Sequence, residues 1–319
     1  MQEFRSTTKV ICPKRLIKTI WTLLIATNLL FACNAYGRYQ GVTFITLPGS
    51  PPAESIVWSP INADQVLVAS SALNHHNDQL FILNTRTLEK TILRKNDTGK
   101  LFGLDWSPDG KRILFAKTSG IAGEIGKTLI MSVNGNDEEV LMEGVADAVW
   151  SPDGKTVAYL SYGTEIELHL MDLGTKEDET ILTLGSGDSL GSSWSPDGER
   201  LVFALGSLKS SNLFVSDIAT GETTQITEDG LADSPVWSPQ GDVIAYHKFS
   251  SDGLVSSLSL IRSDGSCEVE IPNLDRVGSP TWLPDGKTLG FIALDGIYTL
   301  DLEKVFAGDI YQGECPKIQ

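Results

Sequence analysis

Few side chains in this sequence could carry chemistry. It holds only four histidines: His75, His76, His169 and His247. His75 and His76, followed by Asn77 and Asp78, offer metal-ligating atoms, but adjacent residues on a strand point to opposite faces. Both could therefore reach one ion only from a loop, and spaced partner ligands are missing, so a solvated turn is the expectation. His169 and His247 fall in strand-like runs and read as structural. Residues 134–139 (Asn-Gly-Asn-Asp-Glu-Glu) gather the oxygen donors a hard cation prefers, yet lack the twelve-residue frame of a helix-flanked calcium loop. They read as an acidic hairpin tip. Ser189, within Gly187-Asp188-Ser189-Leu190, has the local sequence of a hydrolase nucleophile, but it lies in a link between repeats and no histidine follows His247 to serve as its base. The G-x-S-x-G pattern is absent, and Asn96-Asp97-Thr98 is read as a chance glycosylation sequon. No catalytic set, metal site or cofactor is expected.

The elements that would have to position such residues are set by a repeat. Trp58, Trp106, Trp150, Trp194, Trp237 and Trp282 each open a copy of Trp-Ser-Pro-Asp-Gly-Lys, whole or degenerate, at intervals of 48, 44, 44, 43 and 45 residues. A period of this length marks a propeller or solenoid. In the third copy, apolar or alternating runs at 145–150, 156–161, 165–173 and 179–182 are separated by Gly, Asp and Ser clusters, the pattern of antiparallel strands. Each repeat is thus one four-stranded blade. Pro152 presets the first central φ of the turn, Asp153 bonds nearby backbone, and Gly154 supplies a positive φ. The Trp can bury about 150–250 Å² and fills the wedge between blades. In the fifth copy Gln240 replaces the Asp; the sixth loses the Ser and the first loses the Gly.

These features predict an all-β fold, a six-bladed β-propeller of four-stranded antiparallel blades over residues 41–302. The segment 303–319 offers no clean strand to finish the sixth blade, whereas 41–47 (G-V-T-F-I-T-L) is a strand without a repeat of its own. Letting this N-terminal strand close the ring removes an exposed edge. Three residues before each Trp stand Ser55, Gly103, Asp147, Gly191, Ser234 and Ser279. All are small or short, as crowding of the inner strands around a channel requires. Glu54, Asp105, Asp147 and Asp233 are the candidate channel or funnel residues, able to give one mouth a negative field; solvation of the strand entrances is the alternative.

The first 32 residues differ in kind. Five basic residues precede an apolar stretch at 19–32 that reaches only about 21 Å as a helix, short of a bilayer's ~30 Å core. This is the pattern of an export signal. Leu30-Phe31-Ala32-Cys33 resembles a bacterial lipobox, which implies lipid attachment at Cys33, a signal at 1–32 and a short linker at 33–40. Ordinary cleavage after Ala35 and a retained anchor are the alternatives. All three place the propeller outside the cytoplasm. The net charge of −16 falls to about −20 once 1–32 are removed. Such an acidic excess disfavours nucleic acid and anionic membrane surfaces, whose binding depends on Lys and Arg. Of the four cysteines, Cys267 and Cys315 remain in the body and form a candidate disulfide in an oxidising compartment; two free thiols are the alternative.

The repeated W-S-P-D-G-K motif, with strands such as 113–117 and 213–218 behind it, resembles the TolB-type, WD-like propeller repeat over about residues 41–302. That resemblance is specific for fold and weak for function. It implies a binding scaffold or a non-catalytic gate, and the sequence carries neither the α/β domain that precedes the propeller in TolB nor a hydrolase domain after residue 302. The expected function is an exported, lipid-anchored, non-catalytic and monomeric propeller that binds a protein or peptide in the bacterial envelope. Its only membrane contact would be the anchor. An envelope-polymer lyase or glycosidase, and an accessory subunit of a separate peptidase or transporter, are the alternatives.

Overall fold

The structure is a computed structural model and describes residues 41–45, 52–71, 78–96, 99–118, 126–143, 147–161, 164–207, 210–250, 256–271, 274, 277–293, 296–307 and 317–318. Cys33, His75, His76, Cys315 and the segments 1–32 and 33–40 lie outside the described residues. Residues 41–319 form one compact unit.

Six four-stranded antiparallel sheets account for almost all of it. Five follow the sequence directly, each running from inner to outer strand in chain order; their inner strands are Ala53–Trp58, Leu101–Trp106, Asp147–Trp150, Asp188–Trp194 and Ala232–Trp237. The sixth is built from Val277–Trp282, Thr288–Ala293 and Gly296–Asp301, and its outermost strand is Val42–Ile45. Val42 pairs with Leu300 and Ile45 with Ile297. The N-terminal strand thus completes the last blade, as expected. Each inner strand packs against the inner strands of both neighbouring blades, the sixth against the first, so the ring is closed.

Packing follows the period of the strand. In the second strand of blade 1, Leu67 and Ala69 join the cluster shared with blade 2, while Val66 and Val68 join the cluster shared with blade 6. Both faces of every blade are therefore apolar, so these strands read as continuous hydrophobic runs. Beyond the blades lie the helix Leu302–Val305 and a two-stranded pairing of Phe306–Ala307 with Lys317–Ile318.

The repeat turns behave as their residue types require. In blade 2 the Ser107 hydroxyl donates to Asp109 Oδ1 at 2.7 Å and accepts from the Arg112 amide at 2.8 Å, while the Lys111 amide donates to Asp109 at 3.1 Å. These bonds, led by that from Ser107, hold the Asp109 carboxyl below its usual range. Gly110 sits at φ +67°. Blade 6, with Leu283 in place of the Ser, makes up the loss differently: Thr288 donates through both its amide and its hydroxyl to Asp285, at 2.9 and 2.8 Å.

Candidate functional site

All inner strands run in one direction and end on a repeat turn, so their starting residues share one mouth of the channel. Glu54, Asp147, Asp188 and Asp233 stand at those starts. Glu54 and Asp188 are exposed, and Glu54 meets Lys100 Nζ at 3.6 Å. Asp147 is half-buried and accepts from Ser189 Oγ of blade 4 at 3.1 Å. Burial pushes its carboxyl up to about 6, against the lowering effect of the Ser189 and Ser192 hydroxyls. Asp233 is buried and accepts from His247 Nδ1 at 2.9 Å.

Asp105 is placed elsewhere. It immediately precedes Trp106, at the opposite end of its strand, and both carboxylate oxygens are engaged: Oδ1 by the Trp106 amide and Oδ2 by the Trp150 amide of the next blade, each at 2.7 Å. Burial pushes its carboxyl up to about 7 even against those two bonds. Asp105 ties two blades together rather than lining the mouth.

That tie belongs to a pattern around the ring. Where Val precedes the Trp of one blade, its carbonyl accepts the indole N–H of the next: Val57 from Trp106 at 2.9 Å, Val149 from Trp194 at 3.4 Å and Val236 from Trp282 at 3.1 Å. Where a polar residue precedes the Trp, its side chain accepts the next Trp's backbone amide: Asp105 from Trp150, Ser193 from Trp237 at 3.0 Å and Thr281 from Trp58 at 3.2 Å. The two joints alternate, so the six blades close as three pairs. Ser193 and Thr281 were not singled out from the sequence; the alternation Val57, Asp105, Val149, Ser193, Val236, Thr281 is the signal that marks them.

The small position three residues before each Trp has two causes. At Gly191 a Cβ would fall 2.9 Å from Ser234 Cα, so crowding between inner strands is real there. In addition Gly191, Ser234 and Ser279 adopt left-handed φ of +104°, +50° and +48°, within strands whose register to their neighbours shifts at that point. Backbone shape thus selects short side chains as much as channel space does. Asp147 pairs without such a shift, and its position tolerates a longer side chain.

The remaining candidates resolve as structure. His169 stacks on Tyr159 with ring centroids 4.7 Å apart and bonds Ser161 and Thr180. His247 meets Phe249 edge-on, and its Nε2 is buried with no hydrogen-bond partner. Ser189 lies within an inner strand rather than a loop, and its hydroxyl is spent on Asp147. The acidic tip at 134–139 is a turn in which Glu138 pairs with Arg94 of blade 1 and Glu139 with Lys176 of blade 3 at 3.0 Å. Among the described residues, no group of three or more His, Cys, Asp or Glu is placed to hold a metal. Cys267 is disulfide-bonded; its expected partner Cys315 is outside the described residues.

The ring defines the class: a closed, six-bladed propeller. Within that ring, residues 126–247 match the family model for the TolB beta propeller domain. A Tol-Pal system protein TolB of Francisella tularensis subsp. mediasiatica is 28% identical over 193 residues, 60% of this chain and 40% of the relative. The match thus spans less than half the length of that relative. In fold, TolB from Acinetobacter baumannii superposes with a TM-score of 0.62 at 21% identity, covering 73% of this chain and 57% of that one. An oligogalacturonate lyase in complex with manganese shares the architecture at a TM-score of 0.55 and 12% identity, over 83% of this chain and 95% of that one.

Proposed function

We propose that the chain is an exported, non-catalytic β-propeller, tethered by lipid at Cys33 in the bacterial envelope, that binds a protein or peptide at the acidic mouth of its ring. The observation that carries this reading is the placement of Glu54, Asp147, Asp188 and Asp233 at one end of a closed TolB-type ring. Carboxylates gathered at a concave mouth focus a negative field that attracts and orients a basic partner. The similarity to a protein named for the Tol-Pal system supports an envelope address and a protein partner. No helix among the described residues is long and apolar enough to cross a membrane.

The test is a comparative pull-down from membrane extracts with the full-length chain and its Glu54→Gln/Asp188→Asn variant, both substitutions falling on exposed side chains. A partner retained by the wild type, lost by the variant and released by salt supports the reading. Absence of any such partner, together with hydrolysis or lyase turnover by the pure protein, overturns it. Mass spectrometry of the mature N-terminus tests the tether: a diacylglyceryl-modified Cys33 supports it, and an unmodified N-terminus at Tyr36 refutes it.

A further inference from the structure

The mouth is not acidic all the way round, because blade 2 presents lysines where its neighbours present acids. Its inner strand starts at Leu101, which pairs with Lys117; Lys117 in turn pairs with Lys127, and Lys127 with Glu143. These four residues form one row along the mouth edge of the blade. Lys100 is fastened beside it: its amide donates to Thr118 Oγ1 at 2.9 Å and its carbonyl accepts from the Thr118 amide at 3.0 Å. Like charges directly opposite each other oppose strand pairing, yet Lys117 and Lys127 are opposed and both are exposed. Glu143 offsets Lys127 at 2.9 Å and Glu54 meets Lys100 at 3.6 Å. No acid among the described residues pairs with Lys117. Blades 3 and 4 carry the opposite sign at the same edge. Glu165 directly precedes the third strand of blade 3, Ile166–Asp172, which runs parallel to the inner strand and so starts at the mouth, and Asp188 starts the inner strand of blade 4. Both are exposed, and neither is paired with a Lys or Arg among the described residues.

We propose that the partner segment bound at the mouth carries both signs, with a carboxylate seated between Lys117 and Lys127 of blade 2 and basic side chains over Glu165 and Asp188 of blades 3 and 4. This rests on the mouth being the binding face and adds the chemistry of what binds there. Directly opposed residues of paired strands have Cβ atoms about 5 Å apart, so two ammonium heads can close on one carboxylate. Lysine is a compact point charge without a directional fork, and it is the pair that fixes where the carboxylate sits. A carboxylate placed there also relieves the repulsion that the Lys117–Lys127 pair carries in the free chain. The two sectors together set direction: a segment laid the other way puts acid on acid and base on base, and that cost selects one orientation. A purely basic segment, the choice of a uniformly acidic mouth, is repelled at blade 2.

The test is fluorescence anisotropy of the full-length chain in detergent at low salt with labelled peptides of equal length: a lysine block joined by glycines to a glutamate block, in both block orders; a lysine block with glycines alone; and a glutamate block with glycines alone. The proteins are the wild type, Lys117→Gln, Lys117→Gln/Lys127→Gln and Glu165→Gln/Asp188→Asn, all altered on exposed side chains. The wild type is expected to bind one order of the mixed peptide about threefold to tenfold more tightly than the lysine peptide, the gain that two exposed ion pairs allow. Lys117→Gln should lose part of that preference and the double lysine variant all of it, while binding of the lysine peptide is kept or strengthened. Glu165→Gln/Asp188→Asn should weaken both lysine-containing peptides. A lysine peptide bound by the wild type as tightly as the mixed one, or a preference that survives in the double lysine variant, overturns the proposal and leaves the mouth as a site for basic segments. Binding of none of the peptides removes the mouth as binding face and the proposal with it. A salt-sensitive dimer of the wild type in sedimentation without peptide assigns the lysines of blade 2 to a second copy and likewise overturns it.

Discussion

Two tryptophans that look identical in the repeat should respond differently to the same substitution. Trp106 and Trp150 are 3% and 4% exposed, so Phe at either site removes a similar amount of packed surface. Their indole N–H groups differ. That of Trp106 donates to the Val57 carbonyl at 2.9 Å, and that of Trp150 has no acceptor among the described residues. Trp106→Phe loses a hydrogen bond worth about 1 kcal/mol. Trp150→Phe removes a buried unsatisfied donor and recovers part of a penalty of similar size. It keeps a ring beneath Arg112, although Phe holds a cation more weakly than Trp, by a fraction of the 0.5–1 kcal/mol typical of such contacts. Trp106→Phe should therefore cost about 1–2 kcal/mol more than Trp150→Phe. Denaturant midpoints at a fixed pH, with unfolding slopes checked for equality, measure the difference. Equal costs, or a larger cost at Trp150, would refute the alternating-joint account of the ring.

Other outcomes follow from the same geometry. Gly191→Ala sets a Cβ 2.9 Å from the Ser234 backbone at φ +104°, whereas Gly154→Ala meets nothing closer than Pro108 at 3.7 Å. The second should cost only the left-handed penalty of about 1–2 kcal/mol, and the first about 1–3 kcal/mol beyond that, as read by thermal unfolding. Deleting 42–45 unpairs Gly296–Asp301 and should convert a cooperative melt into a broad one with aggregation at the opened edge; an unchanged melt would show that this strand does not close the ring. Cys267→Ser removes a disulfide. If its partner is Cys315, the closed loop of about 48 residues implies a loss of about 4 kcal/mol in the chain-entropy account, and a peptide map without a Cys267–Cys315 link rejects the pairing.

The fold was legible because its signals are local and repeated. Each Trp-Ser-Pro-Asp-Gly turn specifies its own backbone through Pro, Asp and Gly, and six copies at near-constant spacing leave little choice but a ring of like blades. Even the closing strand could be assigned, since 42–45 has strand character and no partner nearby in sequence. The positions of Glu54, Asp147 and Asp233 three or four residues before a Trp put them near the starts of inner strands.

Tertiary structure decided what depends on contacts between blades. Asp105 reads as a mouth residue by proximity in sequence, yet it sits two residues further along its strand than Asp147 does relative to Trp150. At about 3.3 Å per residue that shift carries it from the mouth to the joint with blade 3. Ser193 and Thr281 acquire their roles only when a neighbour 44 or 223 residues away brings a backbone amide to them. The short residues before each Trp likewise reflect left-handed backbone at Gly191, Ser234 and Ser279, which no composition reveals. Sequence determined the blade, because a blade is made of near neighbours in the chain. How each blade is fastened to the next was set by contacts between segments that meet only in the closed ring.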